Sequence, residues 1–251
     1  MIVLILEVLY MKLILCGGGS GEQNINANTR LNQLIDHSKP ILYIPLALDE
    51  REYPYDGCYE WISSELAEVD VSNIEMVRTF ESLASKKLHN YSAIFIGGGN
   101  TYKLLKGIKD SGAFEKIKNF IENDGVIIGG SAGAVIFGKD INIISKMDPN
   151  NVKLDDTRGF DVLDGISIFP HYTNSKAKFT AEENHQRMNM FTDYIVEYSK
   201  RIGKVIAIPE EDAISIDGDT VEVIGVGKYY EFNNGEKIAK EPKTIAGKKM
   251  I

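Results

Sequence analysis

The feature that most constrains this chain is a regular alternation between strand-like and helix-like segments. Five runs consist mainly of β-branched and large apolar residues: KLILC (12–16), ILYIPL (41–46), IEMVR (74–78), AIFIGG (93–98) and VIIGG (126–130). Helical patterns lie at 26–36, 58–69, 102–110, 113–124 and 179–202. Continuous apolar strands are typical of a sheet that helices cover on both faces. The alternation therefore predicts an α/β fold with a single doubly wound, mostly parallel sheet and helices on both faces.

The C-terminal part of the chain has a different pattern. Short strand-like runs follow one another at VIAIP (205–209), AISID (213–217), TVEVIGVG (220–227) and KYYEF (228–232). The segments DGDT (217–220) and NNGE (233–236) are typical of hairpin turns. We expect these strands to form an antiparallel edge of the same sheet, so that residues 11–251 make a single domain.

The N-terminal residues allow two interpretations. Residues 1–15 are strongly apolar, but the run is too short to span a bilayer and contains Glu7. It has no basic segment and no small-residue cleavage site, so it fits a signal peptide poorly. Because Met11 begins a strand that runs into a glycine turn, we predict that residues 1–10 are an upstream extension. The alternative is an extra strand or helix.

Composition and charge exclude several classes of protein. Hydrophobic residues make up 43% of the 251 residues and charged residues 25%, which is typical of a folded globular protein and not of a disordered chain. The net charge of −8 repels nucleic acid. Two cysteines, Cys16 and Cys58, cannot build a disulfide framework and favour a reducing cytoplasm. We expect neither a nucleic acid nor a membrane as partner.

The sharpest chemical motif is GGSAG (129–133), which lies between a predicted strand and an apolar helix. A serine at such a turn has a strained backbone that exposes its hydroxyl, and the N–H groups of the following helix can stabilise an oxyanion. Ser131 is therefore a predicted nucleophile. The plainer alternative is a glycine-rich turn in which Ser131 only caps the helix.

Two other glycine clusters follow predicted strands. GGGNT (97–101) could direct N–H groups at an oxyanion or a phosphate, or could be a turn in which Asn100 or Thr101 caps a helix. GGGSG (17–21) does not match G-x-G-x-x-G because Glu22 occupies the last position. Nucleotide binding therefore has support from the fold class alone, and we expect no cofactor.

A serine nucleophile needs a general base, and the chain has four histidines. His171 follows the strand-like run ISIFP (166–170), and catalytic sites gather at the carboxyl ends of strands in open α/β sheets. The run VIAIP is followed by three carboxylates that could orient the imidazole: Glu210, Glu211 and Asp212. A solvated acidic turn is the alternative for two of these three. The histidines have no zinc-ligand spacing, so we expect no metal site.

The segments GGGNTYKLLK, GGSAGA, FPHYTN and IPEED occur in this order, and together they resemble the dipeptidase E family of serine peptidases, relatives of cyanophycinase. The order Ser, His, Glu is similar to that of class I glutamine amidotransferase-like folds, which use Cys as the nucleophile. The resemblance implies Ser131 as nucleophile, His171 as base and Glu210 as orienting carboxylate. It also implies an oxyanion hole made by the N–H groups of Gly99 and Ala132.

The chain departs from this family at one informative position. Members that select an N-terminal aspartate carry an arginine three residues before the arginine of a Q-R pair, and Asn184 stands there in this sequence. Arg187 lies one helical turn further on and could replace it. We expect a specificity less strictly aspartyl than the family's. The resemblance also points to a loop aspartate, for which Asp148 is the nearest match.

The sequence therefore predicts a cytoplasmic serine exopeptidase that hydrolyses short peptides through an acyl-enzyme. Two alternatives stay open: an acyl hydrolase or amidase that does not act on peptides, and a binding protein that has lost the chemistry. A short peptide is the expected partner, and a homodimer is allowed.

Overall fold

The computed structural model describes residues 10–173 and 180–244. The predicted extension over residues 1–10 lies, apart from Tyr10, outside the described residues. The strands are β1 (Lys12–Cys16), β2 (Ile41–Ile44), β3 (Ile74–Met76), β4 (Ala93–Ile96), β5 (Val126–Gly130), β6 (Ser167–Phe169), β7 (Val205–Ala207), β8 (Ala213–Asp217), β9 (Thr220–Ile224), β10 (Tyr229–Asn233) and β11 (Glu236–Lys240). The α-helices are α1 (Ile25–Leu34), α2 (Tyr55–Ala67), α3 (Phe80–Ser85), α4 (Thr101–Asp110), α5 (Ala113–Glu122), α6 (Ala132–Val135) and α7 (Ala181–Arg201).

A seven-stranded sheet forms the centre of the molecule, with strand order β3-β2-β4-β5-β1-β8-β9. The pairs β3–β2, β2–β4, β4–β5 and β5–β1 are parallel, and β1 pairs with β8 in antiparallel fashion. The hairpin β8–β9 closes one edge, as the DGDT turn predicts. The α/β fold class, with a mostly parallel sheet and an antiparallel edge, is confirmed.

The two faces of this sheet bury separate apolar clusters, because successive side chains of a strand point in opposite directions. In β1, Leu13 and Leu15 pack in the larger cluster with α4, α5 and α6. Ile14 and Cys16 point into the other cluster with α1 and α2. Helices therefore cover both faces, which explains why the strand sequences are continuously apolar instead of alternating.

The remaining strands differ from the prediction. β6 and β7 pair in parallel, and β7, β10 and β11 continue in antiparallel fashion, so these four strands form a second sheet of order β11-β10-β7-β6. Only the AISID and TVEVI runs extend the main sheet. The prediction of one shared sheet edge was therefore wrong for VIAIP and KYYEF. Within the described residues, no helix is both long and apolar enough to cross a membrane.

Candidate active site

Ser131 occupies the turn between β5 and α6. Its backbone angles are φ 51° and ψ −112°, a conformation that L-residues rarely adopt and that costs on the order of 1–3 kcal/mol. Its side chain makes no capping hydrogen bond to the helix, so the interpretation as a simple helix cap does not hold. The turn instead directs the hydroxyl towards an imidazole.

The imidazole of His171 joins Ser131 to Glu210. Nε2 of His171 lies 2.7 Å from Oγ of Ser131, and Nδ1 lies 2.9 Å from Oε1 of Glu210. His171 follows β6 and Glu210 follows β7, so the parallel pairing of these strands brings base and carboxylate to the same end of the second sheet. The structure thus brings together the three residues that the sequence analysis named as the triad.

The glycine turn after β1 connects the two sheets at this site. The backbone N–H of His171 donates to the carbonyl of Gly17 (3.0 Å), and the N–H of Gly19 donates to the carbonyl of Glu210 (3.0 Å). The N–H of Gly17 donates to the carbonyl of Asp212 (2.8 Å). These bonds fix the loops after β6 and β7, which carry His171 and Glu210, against the end of β1 in the first sheet.

Gly18 is a site residue that the sequence analysis missed. A Cβ atom at this position would lie 2.1 Å from Cε1 and 2.7 Å from Nε2 of His171, so the imidazole rests directly on the glycine backbone. The available signal was the glycine cluster itself, which directly follows β1. Once nucleotide motifs are excluded, such a cluster indicates a close approach by another group.

The predicted oxyanion-hole residues lie on either side of the serine turn. Gly99 has φ 136°, and a Cβ there would lie 2.6 Å from the carbonyl carbon of Ala47. Its N–H makes no hydrogen bond to any described residue. Ala132 is the first residue of α6, and its N–H is one of those that a helix start leaves unpaired. Both donors are therefore available to an anionic oxygen.

Asp148 supports the Gly99 turn and does not contact the imidazole in any described bond. Its Oδ2 accepts the N–H of Thr101 at 2.7 Å. Asn100 caps α4 by accepting the N–H of Lys103, and its amide donates to the carbonyl of Pro149 at 2.9 Å. The loop that carries Asp148 is therefore attached to the start of α4.

Arg187 and Asn184 lie on α7 and differ in their relation to the site. Both are half-buried. The guanidinium of Arg187 lies 5.7 Å from the ring centroid of Phe191. Arg187 also lines a cavity of about 410 Å³ together with His171 and Glu210. Asn184 is not among the residues that line this cavity, and its N–H donates to the carbonyl of Thr180 within the helix.

The other histidines and acidic residues have separate surroundings. His37 contacts the carbonyl of Asn32 on the surface, and His185 is exposed on α7. His89 lines a cavity at the opposite end of the main sheet. Asp212 is only 2% exposed, so the alternative of a solvated acidic turn does not describe this residue. In the described part of the chain, no group of three or more His, Cys, Asp or Glu side chains could hold a metal ion.

A second cavity, of about 600 Å³, opens beside Ser131 and His171. Its walls combine the three glycine turns with side chains from β2, β4 and α2, among them the aromatic rings of Tyr43, Phe95 and Trp61. These aromatic residues cannot be recognised as a cavity wall from the sequence, because large apolar side chains on strands and helices normally indicate core positions. The cavity lies next to the serine hydroxyl and is large enough to hold a small ligand.

A serine hydroxyl, an imidazole and a carboxylate in hydrogen-bonded series at strand ends define a hydrolase of the serine type. The model of Peptidase family S51 matches residues 13–224. The chain therefore belongs to this family and is a serine-type peptidase.

Curated relatives agree with this assignment, and a solved structure is similar in fold. Peptidase E of Pasteurella multocida (strain Pm70) is 26% identical over 207 residues, which cover 81% of this chain and 82% of the relative. Peptidase E of Shigella flexneri serotype 5b is 26% identical over 186 residues, covering 73% and 76%. The crystal structure of a peptidase E candidate from Listeria monocytogenes EGD-e is similar in fold, with a TM-score of 0.67 and 24% identity over 87% of this chain and 100% of that one.

Proposed function

We propose that this protein is a serine exopeptidase that hydrolyses dipeptides or other short peptides, with Ser131, His171 and Glu210 as its catalytic triad. The observation that carries the proposal is the hydrogen-bonded series from Ser131 Oγ through His171 to Glu210, at 2.7 and 2.9 Å. A nucleophile and base within hydrogen-bond distance, with a third group orienting the base, is the arrangement that nucleophilic catalysis requires.

In the first half of the reaction, Oγ of Ser131 attacks the scissile carbonyl carbon while Nε2 of His171 takes the hydroxyl proton. The carbonyl oxygen becomes an oxyanion, and the N–H groups of Gly99 and Ala132 donate to it. The carbon–nitrogen bond then breaks. His171 delivers its proton to the leaving amine, and the acyl group stays on Ser131 as an ester.

In the second half, His171 removes a proton from a water molecule, and the resulting hydroxide attacks the ester carbon. The bond to Oγ breaks, Ser131 recovers the proton from His171, and the carboxylic acid leaves. Glu210 keeps Nδ1 of the imidazole protonated and stabilises the imidazolium that forms twice in this cycle.

Two cavities that are both lined by His171 support a short substrate. The larger one, about 600 Å³, includes Ser131, and the smaller one, about 410 Å³, carries Lys146 and Arg187. Cationic side chains suit the terminal carboxylate of the leaving residue, because a guanidinium can bind a carboxylate through two parallel hydrogen bonds. The two cysteines, Cys16 and Cys58, are free thiols, which supports a cytoplasmic location.

Labelling and hydrolysis assays with Ser131→Ala test this proposal. A fluorophosphonate should label the wild-type chain at Ser131 and leave the variant unlabelled, and the variant should lose hydrolysis by about 10⁴–10⁶-fold with an unchanged melting temperature. More than a few per cent of residual activity in the variant would refute the nucleophile assignment. A labelled wild-type enzyme that cleaves esters and no dipeptide would instead identify an acyl hydrolase.

A further inference from the structure

The larger cavity beside Ser131 has an aromatic wall. The rings of Tyr43, Phe95 and Trp61 lie within 5.7–6.4 Å of one another, centroid to centroid. Leu48 and Tyr53 contribute further apolar surface. Trp61 is 38% exposed although its ring packs against the other two, so part of its ring is open to a ligand. Aromatic surface of this kind favours a large apolar group.

Tyr43 also brings one neutral polar group into this cavity. Its side chain is buried, with 2% exposure, yet its hydroxyl makes no hydrogen bond to any residue that the structure describes. The hydroxyl oxygen lies 3.3 Å from the position that a Cβ atom would take at Gly97, which places it near the glycine turns. Burial raises the pKa of Tyr43, so the phenol stays protonated. Because Tyr43 lines the cavity, its hydroxyl can donate a hydrogen bond to a polar atom of a bound ligand.

The charge of the cavity is opposite to what an aspartate side chain needs. Its described lining contains no Lys or Arg, and its one carboxylate is Glu52. Arg51, next to it in the chain, pairs with Asp49 at 2.6 Å, and Lys103 donates to the carbonyl of Leu48. A carboxylate that entered the cavity would therefore lose its hydration without gaining a cation. The α-ammonium group of a free N-terminal residue, by contrast, complements Glu52.

We propose that this cavity binds the N-terminal residue of the substrate, and that it selects a neutral aromatic or large apolar side chain whose free α-amino group pairs with Glu52. This inference rests on the proposed function, since it assigns the cavity to the acyl side of the scissile bond. Tyr43 donates to a polar atom at the tip of the side chain, so tyrosine is accepted together with phenylalanine. Arg187 lines the other cavity and does not contact the side chain of the N-terminal residue.

The first test is a hydrolysis panel with Phe-Ala, Tyr-Ala, Leu-Ala, Ala-Ala and Asp-Ala. We expect kcat/KM for Phe-Ala to exceed that for Asp-Ala by at least about 100-fold. N-acetyl-Phe-Ala should be cleaved at least about 10-fold more slowly than Phe-Ala, because acetylation removes the charge that Glu52 recognises. An Asp-Ala rate equal to or above the Phe-Ala rate overturns the inference.

The ratio of the hydrolysis rates of two substrates by one variant does not depend on the amount of folded enzyme. Such ratios therefore test which side chains of the cavity select the substrate. Trp61→Ala should reduce the ratio of Phe-Ala to Ala-Ala hydrolysis by about 10- to 100-fold. Tyr59→Ala is the matched control on the same helix, because its hydroxyl bonds the carbonyl of Ile74 and the residue does not line the cavity. Tyr43→Phe should lower the ratio of Tyr-Ala to Phe-Ala several-fold. Glu52→Gln should lower the ratio of the Phe-Ala cleavage rate to the N-acetyl-Phe-Ala cleavage rate. Unchanged ratios overturn the assignment of these side chains.

A binding measurement separates this inference from the proposed chemistry. The Ser131→Ala variant, titrated calorimetrically with Phe-Ala and Asp-Ala, should bind Phe-Ala at least about 10-fold more tightly. That result would stand even if the wild-type enzyme cleaved no dipeptide, in which case the proposed function alone fails. Equal affinities, or tighter binding of Asp-Ala, would overturn the aromatic pocket while leaving the serine peptidase intact.

Discussion

At the scale of single residues, the site depends on two backbone conformations that L-residues rarely hold. Ser131 and His171 have φ angles of 51° and 53°. Each is bonded to the end of β1: the N–H of Ser131 donates to the carbonyl of Cys16 (3.2 Å), and that of His171 donates to the carbonyl of Gly17 (3.0 Å). One pair of adjacent carbonyls thus sets the positions of both the proposed nucleophile and the proposed base, and the sheet holds the strained backbone in place.

Gly18 offers a direct test of how closely the imidazole approaches the backbone. In Gly18→Ala the new methyl group would meet the ring of His171 and displace it from Ser131. We expect kcat to fall by at least about 100-fold, since small displacements of a catalytic group have effects of this size. Gly21→Ala is the matched control, because Gly21 also has a positive φ and a Cβ there meets nothing within 4 Å. Equal losses in both variants would show that glycine flexibility, and not the contact, matters.

The carboxylate assignment can be tested with two conservative changes. Glu210→Gln removes the charge that faces Nδ1 of His171, and we expect turnover to fall by about 10²–10⁴-fold with little change in stability. Glu211→Gln is the control, since no bond of Glu211 to the imidazole is present among the described residues. Steady-state kinetics with one dipeptide decide the matter. A larger loss in Glu211→Gln would move the orienting role away from Glu210.

Candidate site residues could be predicted from the sequence where the neighbouring strand, turn and helix patterns pointed to them. The strand–turn–helix setting predicted Ser131, and a strand end predicted His171. Gly18 and the aromatic wall could not be found in this way, because their roles depend on which loops and helices pack against them. Tyr43 and Phe95 lie in strands whose other residues are also apolar. Nothing in the local sequence pattern distinguishes a residue that lines a cavity from a residue in the core.

At the scale of elements, the loop before the second sheet stabilises the turn that carries Gly99. We predict that Asp148→Ala lowers kcat by about 10-fold, because the N–H of Thr101 loses its acceptor and the oxyanion donor is less firmly held. Loss of the helix-capping bond should also cost about 1 kcal/mol of unfolding free energy. Asp140→Ala removes a comparable cap away from Gly99, because Asp140 accepts the N–H of Asn142 at the start of a short 3-10 helix (Ile141–Ile144). This control should lose stability and keep kcat; equal kcat losses would contradict the role of Asp148.

The positions of the strands and helices along the chain were predictable from the sequence, while some strand ends and some strand pairings were not. β2 stops at Ile44 because Pro45 has no N–H to donate, and β9 stops before Gly225, whose φ is 147°. The second sheet could not be predicted from the sequence for a different reason. β6 and β7 have three residues each, and their pairing joins segments separated by the whole of α7. Local patterns carry no information about such distant partners.

At the scale of the whole molecule, the candidate active site lies where the two sheets meet, and Asp212 bonds to three segments at this junction. Its carbonyl accepts the N–H of Gly17, and its Oδ1 accepts the N–H groups of Val226 and Gly227, each at 2.9 Å. Its Oδ2 is buried with no hydrogen-bond partner among the described residues. Through its backbone carbonyl and its carboxyl group, Asp212 thus links the turn after β1, the loop after β7 and the connection between β9 and β10.

The protonation of Asp212 should make the stability of the whole chain depend on pH. Burial raises the pKa of this carboxyl to about 7, against the lowering effect of the two N–H donors, and the charge of Glu211 adds to the rise. In the unfolded chain the pKa is about 3.9. The folded state therefore binds the proton more tightly. The contribution of the Asp212 proton to the unfolding free energy is complete below pH about 4 and is lost as the pH rises through 7.

Asp212→Asn removes this titration while keeping the size and the acceptor oxygen of the side chain. We expect the unfolding free energy of the variant, relative to wild type, to rise by up to about 4 kcal/mol between pH 4 and pH 8, because ionised Asp212 destabilises only the wild-type fold. Urea unfolding of both proteins at each pH unit measures this difference and cancels the titration of the other groups. A difference that stays constant over this range would mean that Asp212 is already ionised at pH 4, and that its two backbone donors outweigh its burial.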